Sequence, residues 1–77
     1  MGRVVIYSKD SCSFCEKAKD LLKEYSYKYQ EKNIKDPEAR QELLVLASKV
    51  KTVPQIFIDS KHIGGYNELV KYLEKQR

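Results

Sequence analysis

Cys12, Ser13, Phe14 and Cys15 form a C-x-x-C run that holds both cysteines of the chain. On a helix, residues three apart set their Cβ atoms about 5–6 Å apart, whereas a disulfide wants about 3.5–4.5 Å. A modest local adjustment therefore opens or closes the bond, and the pair suits a reversible thiol-disulfide switch. Two other chemistries compete. Tetrahedral zinc needs four ligands, and the chain offers only His62 besides, so a zinc site would be shared between two copies. Inert core cysteines fit poorly, because Cys12 follows the polar run Lys9-Asp10-Ser11. If Cys12 opens a helix, the unpaired amides and the positive end of the dipole favour its thiolate. Cys12 is then the nucleophile, Cys15 a turn inward is the resolving thiol, and Lys9 adds positive charge beside the first.

Two further segments invite chemistry. Proline in Thr52-Val53-Pro54 lacks an N–H and belongs at the start of a strand. Taken alone it reads as an ordinary trans proline, since cis is the minority form; a cis Val53-Pro54 bond would turn the Val53 backbone outward toward a ligand. Gly64-Gly65-Tyr66-Asn67-Glu68, taken alone, reads first as a turn plus a helix cap, the alternative being a helix start whose free amides take a carboxylate. His62 has no acid or serine beside it in sequence and reads as an exposed hairpin residue rather than a general base.

The elements that must position these residues follow from hydrophobic period. Arg3 to Ser8 is β-branched and aromatic and predicts a buried strand. Ala18, Leu21, Leu22 and Tyr25 recur at helical spacing, with the helix start among Ser11, Cys12 and Ser13 and with Ser13 and Glu16 matching a capping box. Tyr27 to Ile34 alternates and predicts an edge strand. Asp36-Pro37 is a cap followed by proline in the first turn, and Ala39, Leu43, Leu46, Ala47 and Val50 predict a second helix to about Lys49. Gln55–Ile58 and Lys61–Ile63 flank Asp59-Ser60 as a hairpin. Asn67 is expected to cap a last helix with Leu69, Val70, Tyr72 and Leu73 inward. Tyr7, Tyr25, Tyr27 and Tyr29 are expected to pack on helices or cover the sheet. The order β-α-β-α-β-β-α implies a parallel pair by a right-handed crossover, then antiparallel strands, in a mixed α/β sheet.

A chain of 77 residues leaves room for one domain, 1–77. Two cysteines exclude a disulfide-framework mini-protein. Fifteen Lys and Arg interspersed with eleven Asp and Glu give a net charge of +4, a mixed solvated surface rather than a nucleic-acid stripe. Val4-Val5-Ile6 is too short for a signal peptide or membrane span. Met1-Gly2 begins like a myristoylation signal, but Ile6 stands where that pattern wants Ser or Thr. The expectation is a soluble protein of a reducing cytoplasm, where a lone cysteine pair is catalytic or metal-binding.

Taken together, in this order, the three segments resemble a glutaredoxin of the thioredoxin fold over nearly the whole chain. The resemblance implies a four-stranded mixed sheet flanked by three helices and a glutathione-disulfide oxidoreductase of cell redox homeostasis. Its partners would be glutathione and disulfide-bearing or glutathionylated proteins, with neither nucleic acid nor membrane, and it would act as a monomer. It assigns the nucleophile to Cys12 and the resolving thiol to Cys15. It matches Thr52, Val53 and Pro54 to the family's cis-proline motif, whose middle backbone pairs with the cysteinyl part of glutathione. Lys9, Gln41 and Lys51 would hold the glycyl carboxylate; Gln41 is reached by counting eleven residues back from Thr52. Gly65 and the amides of Tyr66 and Asn67, with Glu68, would hold the γ-glutamyl end, and Phe14 would border the ligand. Three positions depart from the usual pattern: Ser13 replaces proline, Phe14 replaces tyrosine and Glu68 replaces aspartate. Serine at position 13 carries an alternative, because family members with it include holders of a [2Fe–2S] cluster between two subunits. Cys12 would be a ligand there, with glutathione thiols completing the set.

Overall fold

Val4, Val5, Ile6 and Tyr7 stiffen the strand β1 (Val4–Ser8), which occupies the middle of the sheet because both of its edges find partners. The computed structural model describes residues 2–76, so Met1, where the myristoylation-like pattern begins, lies outside the described residues. β1 runs parallel to β2 (Tyr29–Asn33), with Ile6 opposite Glu31, and antiparallel to β3 (Gln55–Ile58), with Ile6 opposite Ile56. β4 (Lys61–Gly64) closes the hairpin on β3 and gives the order β2-β1-β3-β4. Asp59 and Ser60 both take positive φ, 52° and 68°, the handedness that a two-residue hairpin turn demands. Three helices complete the chain: α1 (Ser13–Glu24), α2 (Pro37–Leu46) and α3 (Tyr66–Lys75). The element order is the one read from the sequence, and the architecture is the thioredoxin fold that the resemblance implied.

Alternation along β1 and β3 divides the interior into two layers. Val4, Ile6, Ile56 and Ile58 face α1 and α3, where they meet Ala18, Leu22, Leu69 and Leu73. Tyr7 and Phe57 face the opposite way, toward Ala39 and Leu43 of α2. Tyr25, Tyr27, Tyr29 and Tyr72 pack half-buried around the first layer, as expected for sheet-covering tyrosines. Two groups pin α2 to the sheet: the Tyr7 hydroxyl donates to Glu42 Oε1 at 3.0 Å, and Lys32 of β2 reaches the same oxygen at 2.6 Å. Burial, reinforced by the Glu42 carboxylate, pushes the Tyr7 phenol up to about 12.

Caps and element ends depart from the sequence reading for local reasons, and β2 keeps only Tyr29–Asn33 of the expected Tyr27 to Ile34. Cys12 caps α1: its Sγ accepts from the Cys15 N–H, leaving Ser13 inside the helix and Glu16 paired with Lys19 instead of boxing the cap. The second helix stops at Leu46 rather than Lys49, because the Ala47 N–H still reaches the Leu43 carbonyl but φ and ψ then leave the helical region. Leu46 is consequently exposed, not part of the buried stripe. Gly65, not Asn67, caps α3: the Glu68 carboxylate reaches back to the Gly65 N–H at 3.0 Å. Gly64 extends β4 by one residue and takes φ of 123°, where a Cβ would sit 2.8 Å from Glu68 Cγ.

Since Leu69 is wholly buried between α3 and the sheet, Leu69→Ala is expected to cost about 2–5 kcal/mol. Val45, 72% exposed on the outer side of α2, should tolerate alanine within about 0.5 kcal/mol. Urea titration of the two variants beside the parent checks the contrast, and equal costs would mean that the layers are assigned wrongly.

Candidate active site

β1 ends at Ser8, and the chain turns through Lys9, Asp10 and Ser11, the last at φ of 54°, before Cys12 begins the helical hydrogen bonding of α1. The turn delivers Cys12 to the helix start half-buried, while Cys15 is fully buried one turn on. The two sulfurs are joined as a disulfide across Cα atoms 5.2 Å apart. Cys12 Sγ also accepts from the Cys15 N–H at 3.2 Å and lies 3.8 Å from the Val53 carbonyl oxygen. Only the outer sulfur is open to attack, and it is the one that an amide and the helix dipole stabilise as an anion. That asymmetry suits sequential exchange at one sulfur followed by resolution from the other.

The Val53-Pro54 bond is cis. The carbonyl of Thr52 accepts from the Gln55 side chain at 3.1 Å, and Gln55 Oε1 meets His62 Nε2 at 2.7 Å. His62 also stacks on Phe57, ring centroids 4.8 Å apart. It is an exposed hairpin residue, as expected, but one that braces the loop before Pro54 through a buried glutamine. That role was missed in sequence; the alternation of Gln55 against Ile56 was the available signal. α3 starts beside the same loop, since a Cβ on Gly65 would come 3.4 Å from the Pro54 carbonyl oxygen. From that start the Tyr66 ring reaches Phe14, centroids 5.8 Å apart, which closes a ring of segments around the disulfide.

A groove of about 310 Å³ leads away from Val53, lined by Lys9, Ile34, Arg40, Leu43, Leu44, Val50, Lys51, Thr52 and Val53. It brings together Lys9, Lys51, Thr52 and Val53 from the expected set. Gln41 is not among its walls. It lines a larger groove of about 770 Å³ on the other side of α2, with Val5, Phe57, Val45 and Leu46. Arg40 is the basic residue of α2 that lines the groove with Lys9 and Lys51. Once Ala39 and Leu43 are fixed inward, the helical period turns residue 40 to one flank and 41 to the other. Asn67 and Glu68 are exposed at the start of α3, and the Glu68 carboxylate is already engaged by the Gly65 amide.

An ionic cluster ties α1 to the sheet. Lys19 Nζ lies 2.7 Å from Glu16 and 3.0 Å from Glu31, whose carboxylate also accepts from the buried Ser8 hydroxyl at 2.7 Å. The Ser8 hydrogen bond, then Lys19, hold the Glu31 carboxyl below the usual carboxylate value of 4.5. Among the described residues no group of three or more His, Cys, Asp or Glu could hold a metal ion. No helix there is long and apolar enough to cross a membrane.

The family model for Glutaredoxin matches residues 4–63 of the chain. Glutaredoxin 3 of Escherichia coli (strain K12) is 44% identical over 69 residues, covering 90% of this chain and 83% of that protein. The crystal structure of Glutaredoxin 1 from Francisella tularensis complexed with cacodylate superposes with a TM-score of 0.81 at 34% identity, over 99% of this chain and 96% of that one. A buckwheat glutaredoxin–glutathione complex gives a TM-score of 0.82 at 28% identity, over 97% of this chain and 71% of that one.

A carboxyl that titrates lower in the folded chain contributes stability above its unfolded value and loses it as pH falls through the folded one. Stability is therefore expected to decline as pH drops below about 4.5, and Glu31→Gln should flatten part of that decline. Thermal melts of both proteins from pH 6 to pH 3 measure it; parallel curves would mean that Glu31 is not held by Ser8 and Lys19.

Proposed function

The chain belongs to the glutaredoxin family and is a thiol-disulfide oxidoreductase, and from that premise we propose that its reductant is glutathione, bound in the groove between Lys9 and Lys51. The observation that carries this reading is the groove itself: it is basic at Lys9, Arg40 and Lys51 and ends on Val53, whose carbonyl is 3.8 Å from Cys12 Sγ. Glutathione has a glycyl carboxylate to meet those cations and a cysteinyl amide to pair with the Val53 backbone. Its γ-glutamyl end meets the amides of Tyr66 and Asn67, and the bound glutathione of the buckwheat protein supports the same ligand class.

In the proposed cycle the Cys12 thiolate attacks the glutathione sulfur of a mixed disulfide. A Cys12–glutathione bond forms as the bond to the substrate sulfur breaks, and the substrate leaves as thiolate. A second glutathione thiolate attacks the Cys12-bound glutathione, releasing glutathione disulfide and restoring Cys12. With a protein disulfide, the first attack joins Cys12 to the protein and the Cys15 thiolate displaces it, giving the Cys12–Cys15 disulfide. One glutathione thiolate then attacks Cys12, displacing the Cys15 thiolate, and a second attacks the Cys12-bound glutathione, releasing glutathione disulfide and the Cys12 thiolate. The chemistry needs a single chain and belongs in a reducing compartment such as the cytoplasm.

A second reading rests on Ser13. Proline there would remove an N–H from the first turn beside Cys12, whereas serine keeps the donor next to the sulfur. A [2Fe–2S] cluster would take Cys12 from each of two chains and two glutathione thiols, because one chain offers one accessible sulfur. Cluster and exchange would use the same thiolate and so exclude each other. Anaerobic reconstitution with iron, sulfide and glutathione tests it: a coloured dimer that is lost in Cys12→Ser supports the cluster, and a colourless monomer refutes it.

For the oxidoreductase reading, Cys12→Ser is expected to abolish exchange. Cys15→Ser should keep turnover of glutathione mixed disulfides and lose reduction of protein disulfides. Equal loss in both variants with a glutathionylated substrate would overturn the assignment. Removal of Lys9, Arg40 or Lys51 should each raise KM for glutathione by about two- to fivefold, with kcat held and the effect shrinking in salt. The Gln41→Ala variant serves as the contrast, with KM unchanged.

A further inference from the structure

Lys17 Nζ stands 5.0 Å from the centroid of the Phe14 ring, whose other contact is Tyr66. Phe14 is 52% exposed, an unusual state for a phenylalanine one residue from a buried cysteine. The ring's negative face holds the ammonium, so the charge is partly ordered before any partner arrives. Side chains on a helix lean toward its N-terminus, and Lys17 therefore overhangs the turn bearing Ser13 and Phe14, beside Cys12. Neither residue lines the groove proposed for glutathione.

Four of the carboxylates on this side of the molecule are already committed. Glu16 and Glu31 are held by Lys19, Asp10 by Asn33 and Lys35, and Glu68 by the Gly65 amide. Lys17 has no ion pair among the described residues. The rim of the disulfide thus presents a cation seated on an apolar ring, and the acid within helical reach of it is Asp20, one turn further from the disulfide along α1.

We propose that Lys17, seated on Phe14, determines which protein substrates are favoured by taking a carboxylate that flanks their reactive cysteine. The inference rests on the reading of the chain as a glutathione-dependent oxidoreductase: glutathione occupies the groove, and the substrate that must leave lies across the Phe14 rim. An acidic neighbour would pair with Lys17 while its aliphatic stem covers Phe14.

Two glutathionylated peptides, identical except for glutamate or glutamine next to the cysteine, test this with the parent, Lys17→Gln and Lys17→Glu. The mixed disulfide of glutathione with 2-mercaptoethanol serves as a substrate lacking any flank. The parent is expected to favour the glutamate peptide by about two- to fivefold in kcat/KM at low ionic strength, the size of an exposed ion pair, and to lose the preference in high salt. Lys17→Gln should abolish the preference and Lys17→Glu reverse it, with turnover of the small disulfide unchanged in all three. Equal kcat/KM for both peptides in the parent, or a preference that survives Lys17→Gln, overturns the proposal while leaving the glutathione reading intact. Failure of the parent on the small mixed disulfide would instead bring down that reading and this inference with it.

Discussion

A sulfur that caps a helix has to satisfy two demands at once, and the rest of the fold serves that coincidence. The first turn of α1 has amides without helical partners, and Cys12 Sγ takes one of them, from Cys15. A hydroxyl or carboxylate would cap more strongly, but neither can exchange disulfides. The helix therefore depends on the reactive atom for part of its own start, and the reactive atom depends on the helix for its charge stabilisation. Burial of Cys15, Ala18 and Leu22 fixes the direction of α1, so the cap cannot swing away from Val53 without disturbing the core.

β1 supplies the other half of this arrangement. Its central place in the sheet means that the segment leaving it emerges between the parallel edge and the antiparallel hairpin. The Cys12 turn comes from β1, the Thr52-Val53-Pro54 loop leads into β3 and Gly65 follows β4, so three neighbouring chain ends meet at one end of one sheet. No long-range loop has to be ordered to assemble them. The Ser8 hydroxyl, buried at the last residue of β1, anchors Glu31 and through it Lys19, which ties the helix that follows to the strand that precedes it.

Much of this was legible in residue type and period. The alternation of β1 and β3, the 3.6-residue stripe of α1 and the Cys12–Cys15 spacing place the strand, the helix and the thiols with little help from outside. What failed in sequence was counting across irregular backbone. Gln41 was reached from Thr52 through residues 47–51, which are not helical, so a fixed count could not say which flank of α2 the side chain would occupy. With Ala39 and Leu43 buried, Arg40 faces the groove beside Lys9 and Lys51 and Gln41 the larger one. Caps failed for a different reason: propensity favours Asn67, but a glutamate three residues beyond Gly65 can reach its amide, and that reciprocal geometry outweighs the intrinsic ranking. Gln55 offered only its alternation with Ile56 as a signal, because a buried polar side chain shows its role through its partners.

The two interior layers are unequal, and the inequality bears on how the molecule breathes. The layer under α1 and α3 contains Ile6, Ala18, Leu22, Ile56, Leu69 and Leu73, all fully buried, whereas the layer under α2 is closed by residues that each retain some exposure. Local opening follows the weaker layer. Backbone amides of α2 and of the segment that follows it will exchange with deuterium well before those of α1, α3 and β1. The thiols thus sit on the slow-exchanging half while Arg40 and Lys51 belong to the fast one. A ligand that bridges the halves would slow exchange across α2, turning the looser layer into a reporter of occupancy although no reactive atom lies in it.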